Sequence, residues 1–210
     1  MIMKANVGNP EFDERYVLDR REAVPALVGG HKEFLFIAGL AGTARDVTSL
    51  VNDGPSAYGL GGAMGAATMM GLGLALARPD RTVIAFCGDG ELLMNVGSLA
   101  TIGVRNPPNL RIVCVDNGHY GETGYQRSHT SLGVDLEKIA VGSGIRRTLT
   151  IGTAAELPKG SKLLRESEDA VFILMRVKPT DPPKFKRTLD PAVCRVRFKA
   201  ALADAARAGG

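Results

Sequence analysis

TVIAFCGDGELLMNVGSLATIGVRNPPNLRIVCVDNGHY, Thr82 to Tyr120, decides how this chain is read. An apolar run, Thr82 to Cys87, ends in Gly88-Asp89-Gly90, and Asn117 follows after a second apolar run. One helix (about Leu92 to Val104), a Pro-containing turn and one strand (Leu110 to Val115) fill the interval. That is one right-handed βαβ crossover, which sets Asp89 and Asn117 side by side at the carboxyl ends of parallel strands. Asp89 is a hard carboxylate at a strand-to-helix junction, suited to a small divalent cation carrying phosphate oxygens. Gly90 lets backbone approach a phosphate, and the free N–H groups opening the helix near Glu91 supply donors. Asn117 offers an amide oxygen and His119 a backbone carbonyl. Together these residues predict a magnesium diphosphate clamp. An Asp in such a turn, taken alone, is equally compatible with a plain turn residue; the interval to Asn117 decides.

Outward from this unit, strands alternate with helices. A helix is expected over Glu11 to Leu27, then strand Glu33 to Ala38. The small-residue loop Gly39 to Thr43 falls on the ligand-bearing edge. A long helix is expected over Gly62 to Ala77. Beyond Asn117, helices are expected at Val134 to Val141 and Ala154 to Arg165, and strands at Arg146 to Thr150 and Ala170 to Val177. This order predicts an α/β fold, a doubly wound parallel sheet with helices on both faces. The fold domain is expected over residues 1–178 and a basic C-terminal extension, an extended docking arm, over 179–210.

YGLGGAMGAATMMGLGLALARPDRTVIAFCGDGELLMNVGSLATIG, Tyr58 to Gly103, together with the GDG-to-Asn interval, resembles the thiamine-diphosphate-dependent decarboxylases and lyases, in their diphosphate-binding domain. The similarity is strongest to the phosphonopyruvate and sulfopyruvate decarboxylase branch, and the pair Asp116-Asn117, where Asn-Asn is commoner, suits that branch. The resemblance implies Asp89, Asn117 and the His119 carbonyl as metal ligands. It puts Gly88, Gly90, Glu91, Tyr120 and Gly121 along the cofactor. Glu91 stands where many relatives have Ser, so only its backbone N–H is credited with diphosphate. Gly62 matches the glycine whose carbonyl receives the cofactor's 4′-amino group, and Met64 the apolar residue that bends the cofactor into its V shape. Without its glycine neighbours Met64 reads as a core methionine.

The same resemblance requires a glutamate on the cofactor's pyrimidine, which such enzymes supply from a separate pyrimidine-binding domain. No second α/β domain fits beside the first in 210 residues. The expectation is therefore a β-type subunit of a two-subunit 2-oxo acid decarboxylase, inactive without a pyrimidine-binding α-type partner in a heterodimer or higher heteromer. Its cofactors would be thiamine diphosphate and Mg2+, and its substrate a small 2-oxo acid with an anionic tail. Glu122 and His129, in the glycine-rich loop Gly118 to Thr130, are candidates for catalysis, with Thr123, Gln126 and Arg127 as further contacts. A solvated loop and a surface histidine are equally compatible. Carboligase or lyase chemistry, or a non-catalytic cofactor-binding subunit, are the alternatives. A nicotinamide domain is disfavoured, because GxGxxG is missing after the first strand.

With 45% hydrophobic and 23% charged residues the chain has the balance of one globular domain with a sizeable core. Cys87, Cys114 and Cys194 are too widely spaced for CxxC and read as buried thiols in a reducing compartment, which also disfavours an iron–sulfur subunit. MIMKANVGNPEFDERYVLDRREAV, Met1 to Val24, has no signal-peptide core, and no apolar run is uniform enough to span a bilayer, so the cytoplasm is the expected location and no membrane partner is expected. From Arg176 to Lys199 eight Lys or Arg face only Asp181 and Asp190. Without interleaved aromatic residues this excess fits a docking arm better than a nucleic-acid surface.

Overall fold

The computed structural model describes residues 13–207. The first residues of the expected N-terminal helix, Glu11 and Phe12, and the first half of the segment read for a signal peptide lie outside that range. Six parallel strands form the main sheet in the order β2-β1-β3-β4-β8-β7. They are β1 (Phe34–Ala38), β2 (Ala57–Gly59), β3 (Thr82–Gly88), β4 (Leu110–Asp116), β7 (Arg147–Ile151) and β8 (Val171–Arg176). A separate antiparallel pair, β5 (His119–Tyr120) and β6 (Gln126–Arg127), turns the glycine-rich loop into a hairpin. All residues of β1 and β4 are buried, as strands covered on both faces must be.

The sheet's two faces carry separate apolar cores. One packs Phe34, Phe36, Ile84, Phe86 and Val113 under α1 (Arg20–Val28), α2 (Ala41–Leu50) and α7 (Leu157–Glu166). The other packs Leu35, Ile37, Val83, Ile112 and Phe172 under α3 (Ala67–Ala77), α5 (Ser98–Arg105) and α6 (Leu136–Gly142). The chain leaves β1 through α2 toward β2, whereas β3 leads through α4 (Asp89–Leu93) and α5 toward β4. The winding direction therefore reverses between β1 and β3. A crevice at the carboxyl ends of these strands is the place where such sheets bind ligands.

Several boundaries differ from expectation. The first helix begins at Arg20, because the Asp19 carboxylate caps the Arg21 N–H at 2.9 Å and Leu18 bridges Val177 in parallel. The stretch Gly39 to Thr43 is in part the first turn of α2, a helix that the sequence does not announce. The helix expected over Leu92 to Val104 is broken at Met94 to Gly97, where the Asn95 amide donates to the Gly65 carbonyl at 2.9 Å. The small-residue helix starts at Ala67, not Gly62, and β2 precedes it. The C-terminal arm is extended only as far as residue 190. It then forms α8 (Pro191–Arg207), which buries Cys194 and Phe198, and Phe198 lies 5.8 Å from Tyr58. Arg197 and Thr188 both bind Asp53, so the arm closes the β2 edge of the sheet. Among the described residues no helix is long and apolar enough to cross a membrane.

Candidate functional site

A cavity of about 460 Å³ opens at the crevice between β1 and β3. Its walls come from Leu40 to Thr43 after β1, Gly88 to Glu91 after β3, and Asn117 with His119 to Thr123 after β4; Met64 adds an apolar side. Asp89, 2% exposed, starts α4, and Asp116, 1% exposed, ends β4. Gly88 is paired with Val115, which puts the two loops side by side as the crossover requires.

Hydroxyl groups hold the two carboxylates. Ser128 donates to Asp89 Oδ2, and the Thr130 hydroxyl lies 3.0 Å from Asp89 Oδ2 and 2.7 Å from Asp116 Oδ1. With one hydrogen, Thr130 serves one acid at a time. The Gly118 N–H donates to Asp116 Oδ1 at 2.9 Å. No Lys or Arg is bonded to either carboxylate among the described residues. Burial raises the pKa of Asp89 despite the Ser128 and Thr130 hydrogen bonds. Burial and then the Asp89 charge push Asp116 up to about 7. Tyr16, whose hydroxyl is 3.4 Å from Asp116, is pushed to about 12 by burial and the same carboxylate.

This arrangement fits a divalent cation. Two buried acids bonded to no Lys or Arg among the described residues, with Arg176 acting on Asp116 only at a distance, form a deficit of positive charge, and the Ser128 and Thr130 hydroxyls meet Asp89 through Oδ2 and not Oδ1. Asn117, 9% exposed, lines the cavity with its Oδ1 accepting the His119 N–H at 3.1 Å. That contact keeps the Asn117–His119 turn tight enough to offer side-chain oxygen and backbone carbonyl together. Among the described residues no group of three His, Cys, Asp or Glu could hold a metal, so the set depends on Asn117 and a main-chain oxygen.

Glycine clears the walls. A Cβ on Gly90 would lie 2.2 Å from the Tyr120 ring, and one on Gly39 would lie 2.0 Å from the Glu91 carboxylate. Glu91, 4% exposed, accepts the Gly88 N–H through Oε2 at 3.2 Å, while its Oε1 has no hydrogen-bond partner among the described residues. Burial pushes this carboxyl up to about 7, against the pull of the Gly88, Leu40 and Gly65 amides. Its side chain therefore braces the β1 and β3 loops.

Most residues singled out from sequence converge here: Met64, Gly88, Asp89, Gly90, Glu91, Asn117, His119, Tyr120, Gly121 and Glu122 all line the cavity. Gly62 stands on the same edge, exposed and outside the cavity wall. His129 faces solvent, in contrast to its expected catalytic placement, because its neighbours Ser128 and Thr130 are the ones turned inward. Arg127 is folded back onto Ser131, with Nη2 2.7 Å from its carbonyl, and does not meet the cavity. Ser128, Thr130, Tyr16 and Arg20 escaped the sequence reading. A Ser-X-Thr alternation flanking the histidine was the only signal for the first two.

The family described as "Thiamine pyrophosphate enzyme, C-terminal TPP binding domain" matches residues 44–175. Sulfopyruvate decarboxylase subunit beta of Methanocaldococcus jannaschii is 40% identical over 141 residues, covering 67% of this chain and 74% of that subunit. Phosphonopyruvate decarboxylase of Streptomyces viridochromogenes is 35% identical over 140 residues, 66% of this chain but 35% of that enzyme. A thiamine diphosphate-dependent 4-hydroxybenzoylformate decarboxylase of Rhodococcus jostii superposes with a TM-score of 0.64 at 21% identity, over 77% of this chain and 33% of that one. The chain therefore belongs to the thiamine pyrophosphate enzyme family, in its C-terminal TPP-binding domain.

Proposed function

We propose that this chain is the β-type, diphosphate-binding subunit of a thiamine-diphosphate- and Mg2+-dependent decarboxylase of small 2-oxo acids carrying a sulfonate or phosphonate tail. The observation that carries this is the buried Asp89 beside the Asn117–His119 turn, an acid, an amide and a carbonyl, with no Lys or Arg bonded to the acid among the described residues. The names of the relatives, decarboxylases of sulfopyruvate and phosphonopyruvate, support the substrate class. Asp89, Asn117 and the His119 carbonyl would hold the metal. The cofactor, when bound, supplies a nucleophilic carbon and an electron sink for the electrons left by carbon dioxide.

This chain's own part is to bind and orient. Gly90 and Glu91 present backbone N–H groups to diphosphate, Ser128 and Thr130 fix the Asp89 carboxylate, and Met64, 40% exposed, gives the reacting end an apolar support. Tyr120 packs on Gly90 and helps exclude water. The glutamate that activates the pyrimidine would come from an α-type partner chain, in keeping with the subunit-beta name of the relatives.

The test is reconstitution. The purified chain should show no turnover alone and decarboxylate once its partner is added; turnover by the single chain would refute the split site. In the assembled enzyme Asp89→Ala should abolish Mg2+-dependent cofactor retention with the circular dichroism spectrum unchanged, and undiminished retention would remove the clamp. Product analysis separates release of an aldehyde from carboligation.

A further inference from the structure

On the β1 side of the same cavity lies a charged group that the metal clamp does not use. Arg20, 4% exposed, clamps the buried Asp46 through Nε at 3.1 Å and Nη2 at 2.5 Å. Asp46 stands one turn along α2 from Gly42, so the guanidinium is pinned against the opening turn of that helix. A Cβ on Gly42 would fall 2.6 Å from both Nη1 and Nη2. Only glycine lets the planar group lie there. The Nη1 of Arg20 has no partner among the described residues, and Arg20 forms part of the cavity wall.

The turn beside it is built without a cap. Leu40 supplies no side-chain acceptor, there is no acid in the first turn, and the N–H groups of Ala41, Gly42 and Thr43 find no partner among the described residues. Ala41 sits at φ 57°, a left-handed conformation that alanine adopts only where its surroundings impose it. Three amide hydrogens and a guanidinium edge therefore border one cavity, while two of the three nitrogens of the fork are already held by Asp46. What remains free is a directional cationic donor beside the positive end of a ten-residue helix.

We propose that Arg20, with the opening amides of α2, forms an oxyanion subsite that takes a tetrahedral phosphoryl or sulfonyl group, and that Arg20 is a further binding residue of this protein. The proposal rests on the cofactor reading above. Charge supports it: a divalent cation facing Asp89 retains a single net positive charge, which leaves a diphosphate anionic and a second cation favourable. Two sources share this chemistry, the cofactor's terminal phosphoryl group and the anionic tail of the substrate. Asp46 acts through Arg20 as a positioning residue, and Gly42 supplies the space.

The experiment titrates the full chain with inorganic pyrophosphate in the presence of Mg2+ by calorimetry, then measures KM in the assembled enzyme for sulfopyruvate and for pyruvate. Arg20→Met should weaken pyrophosphate binding by about tenfold or more if the phosphoryl group is the ligand. If pyrophosphate binding is kept but KM rises about tenfold for sulfopyruvate and not for pyruvate, the substrate tail is the ligand. Gly42→Ala should reproduce either loss in weaker form by displacing the guanidinium. No change in either measurement, in a variant with the native circular dichroism spectrum, overturns the subsite. Should Arg20→Met fold poorly with Asp46 left unpaired, the double variant Arg20→Met, Asp46→Leu removes both charges and gives the same readout. Asp89→Ala separates the two ideas: if it leaves Mg2+-dependent pyrophosphate binding intact the cofactor reading fails, and if it abolishes that binding while Arg20→Met changes neither pyrophosphate binding nor the KM for sulfopyruvate, the subsite alone fails.

Discussion

The two ends of the sheet bury charge in opposite ways. At the amino end of β4, Arg111 is 2% exposed and donates to five carbonyls, those of Leu164, Pro108, Leu110, Asp169 and Ser167, at 2.7 to 3.2 Å. Nearby, Arg165 donates to the Val28 and Gly30 carbonyls, pairs with Glu33 at 3.1 Å and lies over the Phe34 ring. Every guanidinium nitrogen of Arg111 has a partner, so burial lowers its pKa only to about 10. At the carboxyl end, Asp89, Asp116 and Glu91 are as deeply buried and have hydroxyls and amides but, among the described residues, no bonded Lys or Arg. One end is complete within the chain and serves stability. The other is complete only with a ligand, which is what a binding site requires.

Arg111→Met breaks the satisfied end. The thioether fills part of the volume but leaves five carbonyls to find water, and the loss of the α7 carboxyl-terminal contacts at Leu164 and Ser167 adds to it. Global stability should fall by about 4 kcal/mol. Guanidinium denaturation of the purified chain reads this directly, with Mg2+-dependent pyrophosphate binding at saturating ligand unchanged in the molecules that remain folded. A loss under 1 kcal/mol would mean that the carbonyl cage contributes little.

The same contrast explains what the sequence discloses. Asp89 and Asn117 are legible because a glycine-flanked acid and an amide at one crossover's distance form a pattern in chain order, and because β3 and β4 are unbroken apolar runs. Ser128 and Thr130 are not, since a hydroxyl that holds a carboxylate has no spacing signature and a long loop joins them to the strands. Arg20 is hidden for another reason: its partner Asp46 lies on α2, whose buried face mixes Ala44 and Val47 with Thr43, Asp46 and Thr48 and so shows no clean apolar stripe. β2, three residues long, is too short for a period. Within the long α4–α5 stretch the helix-forming residues conceal a break that only the Asn95–Gly65 tertiary contact sets.

The unsatisfied end makes metal-free stability depend on pH. Burial pushes the Asp116 and Glu91 carboxyls of the folded chain up to about 7, from their ordinary 3.8 and 4.5. Between those limits the folded chain keeps protons that the unfolded chain has released. Stability therefore falls as pH rises through roughly 4 to 7, the reverse of a salt-bridged carboxylate. The loss should be on the order of 2 kcal/mol, below the bare shifts because water enters an open cavity. Unfolding midpoints in chelator from pH 4 to 8 check this, and Mg2+ with pyrophosphate should flatten the slope. A midpoint that rises with pH in chelator would show that a protein cation already neutralises these acids.

Asp116→Asn isolates the repulsion between the paired acids. Its Oδ1 still accepts the Gly118 amide and the Thr130 hydroxyl, so the hydrogen bonds stay while one charge goes. At pH 8 in chelator the variant should be more stable than the parent by about 1 kcal/mol, because Asp89 then ionises beside a neutral amide. At pH 4, where Asp116 is already protonated in the folded parent, the gain should vanish. With Mg2+ present the sign should turn, since the cation binds a less negative pocket. A gain equal at both pH values would assign the effect to packing, and the charge contrast between the two ends of the sheet would lose its basis at this residue.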